Sequence, residues 1–218
     1  MVSRTLAPTF QLVRSPSRTA TERWINMSKQ VEGIYGREYF EKYAALAQTP
    51  LGLAIYTARW ALITRFCQSP NIDNHYSTIL DYGSGPGSFN AHGPDNFRKF
   101  NFDINPSCGF TDLPQEKMDI LTLWDSIEHI PNFYGLIKSI DAEWLFITTP
   151  NLESVDKPVT FWKHYRPKEH IYYFDRHSLE VILEDLGYKI IELNFDEGRL
   201  RDPQHPNAVL TLVAKKCN

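Results

Sequence analysis

A glycine-rich segment between two apolar segments, the second of which contains an acid, is a pattern that can hold a nucleoside-bearing cofactor. Residues 78–82 form a short apolar segment, and the glycine-rich segment 83–87 follows it directly. A second apolar segment, at 100–104, contains Asp103. Glycines allow the backbone to approach a ligand without clashes from Cβ atoms, and an acid about 20 residues further on can accept hydrogen bonds from ribose hydroxyls. The glycines are Gly83, Gly85 and Gly87.

The spacing within this pattern distinguishes between kinds of cofactor. Asp81 lies just before the glycines, where it could hold an ammonium group. The segment is Gly-x-Gly-x-Gly rather than the Gly-x-Gly-x-x-Gly of a pyrophosphate-binding turn. Both features favour S-adenosylmethionine (SAM) over a dinucleotide. A dinucleotide, or a tight turn that binds nothing, stays an alternative because a single glycine motif has low specificity.

A second group of reactive side chains follows the strand predicted at 118–123. It contains Asp125, Glu128 and His129. Open α/β sheets bind ligands at the carboxyl ends of their strands. A neutral imidazole is a suitable general base near pH 7, whereas two acids and one histidine suit a hard divalent cation such as Mg²⁺. Alternatively, Glu128 caps a neighbouring helix and His129 bonds within its own loop.

Further polar groups follow the strand predicted at 143–149. Asn151 comes after a proline that turns the chain out of the sheet, and its amide can orient a substrate. His170 is a second candidate base, and Arg166 could pair with an anionic substrate. The alternative is an aromatic loop that packs on the N-terminal helices. The segment 164–174 contributes His164, Arg166, His170 and Tyr172.

These motifs, in this order, resemble those of class I SAM-dependent methyltransferases of the small-molecule, ubiquinone-biosynthesis type. The resemblance implies in-line transfer of the sulfonium methyl group to an oxygen or nitrogen of a small-molecule acceptor, with the protein aligning the acceptor and removing its proton. Part of that group binds a metal through two acids and a histidine. The first of those acids is normally glutamate, whereas this chain has Asp125. A nucleic-acid methyltransferase, or a SAM-binding module without catalysis, is the alternative.

The resemblance implies a role for each of these positions. The implied cofactor-binding residues are Asp81, Gly83, Gly85, Gly87, Asp103, Ile104, Asp112, Leu113, Trp124, Asp125 and Ser126. The implied catalytic residues are His129, Glu128 and His170. The implied substrate-binding residues are Asn151, His164, Arg166 and Tyr172. The implied metal ligands are Asp125, Glu128 and His129.

The elements that must position these residues predict a Rossmann-like α/β fold with a seven-stranded, mostly parallel sheet. A Gly-Pro pair at 93–94 limits the helix of the first crossover to one or two turns. Only fifteen residues, 104–118, separate Asp103 from Asp119, so the second crossover has room for a minimal edge strand at 109–113 and little or no helix. The last two strands, 188–195 and 208–215, are joined by a long loop and should be antiparallel.

Composition sets the outer limits of the function. The 218 residues, 42% of them hydrophobic, suit one α/β domain with a helical N-terminal extension. The net charge of −3 and the lack of a basic run disfavour nucleic acid as a partner. No apolar stretch is long enough to span a membrane, and three cysteines without metal spacing fit a cytoplasmic protein. Organellar import is the alternative, since the first 21 residues are basic and lack acids. The predicted divisions are a flexible arm at 1–36, a helical cap at 37–74 and a SAM-binding domain at 75–218.

Overall fold

The described part of the chain forms one mixed sheet of six strands with helices on both faces. The computed structural model describes residues 36–67, 77–155, 158–167 and 169–217. Within them, the strands are β1 (Ser77–Tyr82), β2 (Phe97–Phe102), β3 (Ile120–Trp124), β4 (Trp144–Pro150), β5 (Tyr188–Asn194) and β6 (Val209–Lys216). The helices are α1 (Arg37–Leu46), α2 (Pro50–Cys67), α3 (Ser88–Ala91), α4 (Phe133–Ile140), α5 (Arg176–Asp185) and α6 (Asp196–Arg201).

The strands lie in the order β2-β1-β3-β4-β6-β5. The first four are parallel, whereas β6 pairs antiparallel with both β4 and β5. The predicted parallel sheet with an antiparallel end pair is therefore confirmed. The carboxyl ends of β1, β2, β3 and β4 lie at one edge, where such sheets bind ligands.

The predicted seventh strand at 109–113 is wrong. This segment is irregular, and its backbone link to the sheet is one 2.8 Å hydrogen bond from the Asp103 N–H to the Phe110 carbonyl. The physical reason is chain length, because fifteen residues cannot supply both a crossover and a paired strand. The shortened crossover itself is confirmed. Between β2 and β3 the chain forms a single 3₁₀ turn at Pro106–Cys108.

Helix α2 covers one face of the sheet in place of a long crossover helix. The first crossover helix, α3, has only four residues. Trp60 and Ile63 of α2 are buried with Ile79, Ile120 and other side chains of the sheet. The Trp60 indole N–H also donates a 2.9 Å hydrogen bond to the carbonyl of Phe89 in α3, and the two rings stack with centroids 4.7 Å apart. This packing fixes α2 beside the glycine-rich segment.

Helices α4 and α5 cover the opposite face. Their buried side chains, such as Ile137 and Leu183, join a core with Leu121, Leu145 and Leu212 of the sheet. Helix α5 begins with a capping box, in which the Asp175 carboxylate accepts a 2.7 Å hydrogen bond from the backbone N–H of Ser178.

Helix α6 interrupts the long loop predicted between the last two strands. Its Gly198 packs so closely that an added Cβ would lie 2.3 Å from the carbonyl oxygen of Pro206. The arm predicted at 1–36 lies outside the described residues, except for Gly36. None of the helices in the described part of the chain has the length and apolar character that crossing a membrane requires.

Candidate active site

The glycine-rich segment forms a tight loop between β1 and α3. Gly83, Gly85 and Gly87 have φ angles of 81°, 53° and 74°, a backbone region that residues with a Cβ seldom adopt. A Cβ on Gly83 would lie 2.6 Å from the Cβ of Ser126. The Ser126 hydroxyl donates a 2.9 Å hydrogen bond to the carbonyl of Tyr82. Ser126, which was predicted to line the cofactor, therefore lies directly against this loop.

Two aromatic rings that sequence reasoning missed flank the glycine loop. A Cβ on Gly85 would meet the ring of Phe40 at 3.8 Å, which places α1 beside the loop. A Cβ on Gly87 would meet the ring of Phe110 at 3.0 Å. Phe110 thus contacts the loop, whereas Asp112 and Leu113, which were predicted to bind the cofactor, are exposed.

Asp103 and the glycine loop come together as predicted from their spacing. One carboxylate oxygen of Asp103 accepts a 2.8 Å hydrogen bond from the N–H of Gly85, and the other accepts a 2.9 Å bond from the N–H of Asn105. Burial raises the pKa of Asp103, and the two hydrogen bonds, which lower the pKa, only partly offset this effect. Each oxygen has a second lone pair and can still accept from a ligand hydroxyl. Ile104 follows Asp103 and is half-buried.

Asp81 lies in β1, two residues before the glycine loop, and bonds to the neighbouring strand β3. It is buried, and its carboxylate accepts a 2.7 Å hydrogen bond from the hydroxyl of Thr122 in β3. Burial raises the pKa of Asp81 to about 6. A carboxylate that is buried and bonded in this way braces β1 against β3. The ammonium-holding role predicted for Asp81 therefore requires a ligand to reach a side chain that is only 3% exposed.

Glu128 is a buried acid at the end of β3. It lies in a 3₁₀ turn, Ile127–His129, and accepts a 3.1 Å hydrogen bond from the hydroxyl of Thr149 in β4. Burial and then the negative charge of Asp125 raise the pKa of Glu128 to about 8. At neutral pH the protonated form of Glu128 therefore predominates, and it can donate a hydrogen bond.

His129 has a defined tautomer. Its Nδ1 lies 2.8 Å from the carbonyl oxygen of Glu169. Because a carbonyl only accepts, Nδ1 carries the proton and Nε2 carries the lone pair in the neutral ring. Nε2 lies 4.0 Å from a carboxyl oxygen of Glu128. Burial lowers the pKa of His129, so the ring is neutral at pH 7 and has the form that a general base requires.

Two further histidines extend this cluster. The ring of His170 lies 4.7 Å from that of His129, edge to face. Burial lowers the pKa of His170 and that of His164 to about 4, so both are neutral at pH 7. Among the described residues, no hydrogen-bond partner exists for the buried Nδ1 of His170 or Nε2 of His164. One ligand atom each of Glu128, His129 and His170 lies within 4.8 Å of the others.

The remaining predicted substrate residues have structural contacts of their own. The Asn151 amide donates a 3.0 Å hydrogen bond to the Asn207 carbonyl, and its oxygen accepts from the N–H of Glu153 at 3.2 Å. The Tyr172 hydroxyl donates to the carbonyl of Pro131 at 2.7 Å. Arg166 is exposed and pairs with Glu169 at 3.3 Å. These contacts hold the loops around His129, and Asn151 is buried by them.

The sequence of this chain matches a known protein family. The profile of a family described as a methyltransferase domain matches residues 56–193, which is more than half of the chain. The chain belongs to this family. It is a class I SAM-dependent methyltransferase, as the resemblance of its motifs indicated. No curated protein sequence matches the chain.

Solved structures show the same fold at low sequence identity. A SAM-dependent methyltransferase from Archaeoglobus fulgidus is 17% identical, covers 74% of this chain and 94% of its own, and has a TM-score of 0.51. Magnesium protoporphyrin IX methyltransferase from Synechocystis, with bound S-adenosylhomocysteine (SAH), is 13% identical, with coverages of 87% and 99% and a TM-score of 0.56. Phosphoethanolamine N-methyltransferase 2 from Haemonchus contortus, in complex with SAM, is 13% identical, with coverages of 87% and 60% and a TM-score of 0.59.

Asp125 of this methyltransferase has different partners from those predicted. It follows β3 with a φ of 52°, and its carboxylate accepts hydrogen bonds from Arg59 of α2 and Arg201 of α6 rather than joining Glu128 and His129. Burial would raise the pKa of Asp125, but the guanidiniums of Arg201 and Arg59 hold it at about 2. In place of Asp125, His170 completes the group of candidate metal ligands.

Arg59, Glu197 and Arg201 were missed by sequence reasoning. A signal for Arg59 was present, because it lies among apolar residues within α2, where a lone cation indicates a buried partner. The Arg59 guanidinium also lies over the Trp124 ring, 4.6 Å from its centroid. No signal in the sequence identified the partners, since Glu197 is 138 residues away from Arg59.

Proposed function

We propose that this methyltransferase moves the methyl group of SAM to an oxygen or nitrogen atom of a small molecule. The observation that carries the proposal is the juxtaposition at one sheet edge. The glycine loop and Asp103 follow β1 and β2, and the Glu128–His129 turn follows β3, the neighbouring strand. Because a nucleoside cradle and a neutral imidazole lie at adjacent strand ends, a cofactor and an acceptor can be held side by side.

The residues present fit SAM. The positive φ angles at Gly83, Gly85 and Gly87 form a cradle that side chains would fill. Asp103 keeps lone pairs for ribose hydroxyls. When bound, SAM supplies an activated sulfonium methyl group. The protein then has to align the acceptor in line with that methyl group and accept the proton that the acceptor loses.

His129 is the proposed general base. Its protonated Nδ1 is fixed on the Glu169 carbonyl, which leaves Nε2 as the proton-accepting atom. Glu128, protonated at neutral pH, can donate a hydrogen bond that orients the acceptor or the ring. His170 lies edge-on to His129 and restricts the rotation of its ring. We assign removal of the acceptor proton to His129, and we assign positioning roles to Glu128 and His170.

A divalent cation is a second candidate occupant of this cluster. The observation in its favour is that Glu128, His129 and His170 converge within 4.8 Å and that His170 Nδ1 has no partner among the described residues. His129 is held through its other nitrogen by a backbone carbonyl, as metal-ligating histidines usually are. Two imidazoles and one carboxylate suit Mn²⁺, Fe²⁺ or Zn²⁺ better than the Mg²⁺ expected from the sequence.

Calorimetry with SAH tests the cofactor proposal. Asp103→Ala should weaken SAH binding roughly 10- to 100-fold, since a charge-assisted hydrogen bond contributes about 1.5–3 kcal/mol. Asp95→Ala is the matched control, because Asp95 is exposed and is not among the predicted site residues, and it should bind SAH as the wild type does. Equal affinity for the wild type and Asp103→Ala, or binding of NAD in place of SAH, would contradict the proposal.

Activity assays with a chelator separate base catalysis from metal-assisted catalysis. If transfer continues unchanged in EDTA, the cluster acts through His129 alone. If transfer stops and returns on addition of Mn²⁺, Fe²⁺ or Zn²⁺ but not Mg²⁺, the cation is part of the site. Calorimetric titration of the same cations into His170→Ala then shows whether His170 is a ligand.

A further inference from the structure

Two arginine–carboxylate pairs lie side by side between α2, α6 and the end of β3. In the first pair, Arg59 donates two hydrogen bonds to Glu197, at 2.9 and 2.6 Å. In the second pair, Arg201 donates through both terminal nitrogens to the two carboxylate oxygens of Asp125. The pairs are cross-linked, since Arg59 also reaches Asp125 at 3.1 Å and Arg201 also reaches Glu197.

The two pairs differ in exposure. The side chains of Arg59 and Glu197 are 8% and 4% exposed, whereas those of Arg201 and Asp125 are 27% and 32% exposed. One pair is therefore a buried support, whereas the other, called the exposed pair below, is half-buried and only partly open to solvent. The charges of the four residues balance, so a ligand that carries both signs can replace the contact between Asp125 and Arg201 without adding a net charge.

The exposed pair lies between the glycine loop and the imidazole cluster. Asp125 directly precedes Ser126, which packs against Gly83. On one side, the ring of Trp124, which precedes Asp125 and lies under the Arg59 guanidinium, contacts the Phe89 ring of α3, with centroids 5.5 Å apart. On the other side, Glu128 follows Asp125 by three residues and lies in the 3₁₀ turn Ile127–His129, which carries the first imidazole of the cluster. In a cofactor whose nucleoside is held by the glycine loop, this is the region for the group attached to the sulfur.

We propose that Asp125 and Arg201 bind the zwitterionic amino-acid end of SAM, with the ammonium on Asp125 and the carboxylate on Arg201. This inference rests on the proposed function. The ligand inserts into the exposed ion pair, and Glu197 and Arg59 keep the two side chains in place while the direct contact between them is exchanged. Because no charge is left buried without a partner, the free-energy cost of this exchange stays small. Asp81, the residue expected for the ammonium, is instead bonded to Thr122 beneath the loop.

Four ligands and three variants test the proposal by calorimetry. The ligands are SAH, its decarboxylated analogue and its deaminated analogue, with 5′-methylthioadenosine as the ligand that lacks the amino-acid end altogether. The wild type should prefer SAH over each analogue by roughly 10- to 100-fold, the effect of one charge-assisted hydrogen bond. Arg201→Gln should lose the preference over the decarboxylated analogue. Asp125→Asn should lose the preference over the deaminated one. Both should keep the wild-type affinity for 5′-methylthioadenosine.

The outcomes separate this inference from the proposed function. If both variants keep the full preference for SAH, the ion pair does not bind the amino-acid end, although the protein still binds the cofactor. If the wild type binds neither SAH nor 5′-methylthioadenosine, the proposed function fails as well. Arg201→Lys keeps the charge balance and guards against loss of folding. It should retain part of the carboxylate preference, and complete retention would overturn the role of the bidentate guanidinium.

Discussion

The proposed cofactor side and the proposed acceptor side of the active site are built in different ways. The cofactor side comes from a short stretch of chain, residues 81–105, and acts mainly through backbone conformation at three glycines. The acceptor side is assembled from side chains of distant segments, among them Glu128, His129 and His170, and acts through burial, which keeps these groups neutral at pH 7. Between the two sides lies the charged group formed by Arg59, Asp125, Glu197 and Arg201.

The difference shows which substitutions each side of the site can tolerate. A backbone cradle is disturbed by added atoms, because its shape depends on residues that have no Cβ. A cluster of buried polar side chains is disturbed by removed atoms, because each deletion leaves a partner unsatisfied. Substitutions that add atoms on one side and remove atoms on the other should therefore have effects of different kinds and sizes.

The largest expected effect is on turnover. His129→Ala should lower methyl transfer roughly 10²–10⁴-fold, as removal of a general base typically does, and leave SAH affinity unchanged. Since burial lowers the pKa of His129, the loss of wild-type activity toward low pH should begin only below the usual titration range of histidine. Steady-state kinetics from pH 4.5 to 9 measure both effects.

His205→Ala is the matched control for His129. His205 is 66% exposed and bonded to Asp202, and its removal should not change the rate. If His129→Ala stays active while His170→Ala is inactive, the two histidines have exchanged roles. If both variants stay active, alignment of the acceptor is sufficient and no imidazole acts as the base.

The second largest effect is on stability, at the buried support. Arg59→Met leaves Glu197 and Asp125 with one arginine between them, and loss of one partner from a buried ion pair typically costs about 3–5 kcal/mol. Arg65→Met, one helical turn and a half further along α2, removes a surface pair with Glu192 and should cost about 0–1 kcal/mol. Urea unfolding of both variants gives the comparison. Similar small costs would show that the charged group contributes little to folding.

The third effect is a pH dependence. The folded-state pKa of Glu128 is raised to about 8 from an ordinary value of 4.5, so the folded protein keeps a proton that the unfolded chain releases. The contribution of Glu128 is complete below pH 4.5 and is lost as the pH rises through 8, with a slope of up to about 1.4 kcal/mol per pH unit.

A variant that cannot titrate isolates this contribution. Relative to Glu128→Gln, the wild type should lose stability steadily between pH 5 and 8. His170 acts in the opposite sense, since its pKa of about 4 costs stability as the pH falls from 6.5, but it is present in both proteins and cancels in the difference. A difference that stays constant with pH would show that Glu128 is ionised in the folded state.

The same contrast explains which features could be predicted from the sequence. Asp103 and Ser126 were predicted because strand ends and a glycine loop fix their neighbourhood locally. Asp125 was predicted to lie at the cleft, but its partners were not, because the pairing of Arg59 with Glu197 depends on how α2 and α6 pack across 138 residues of chain. The seventh strand was predicted wrongly for a different reason. The sequence shows that only fifteen residues separate Asp103 from Asp119, but the prediction still placed a paired strand within them.

The smallest expected effect sharpens the account of the cofactor side. Gly83 and Gly109 both have positive φ, at 81° and 76°, but an added Cβ meets Ser126 at the first position and nothing within 4 Å at the second. Gly109→Ala should cost about 1–2 kcal/mol, for the backbone alone. Gly83→Ala should cost about 1 kcal/mol more, because Ser126 must shift and its hydrogen bond to Tyr82 is lost. Gly83→Ala alone should also weaken SAH binding. Equal costs of unfolding and equal SAH affinities for the two variants would show that contact with Ser126 does not shape the loop.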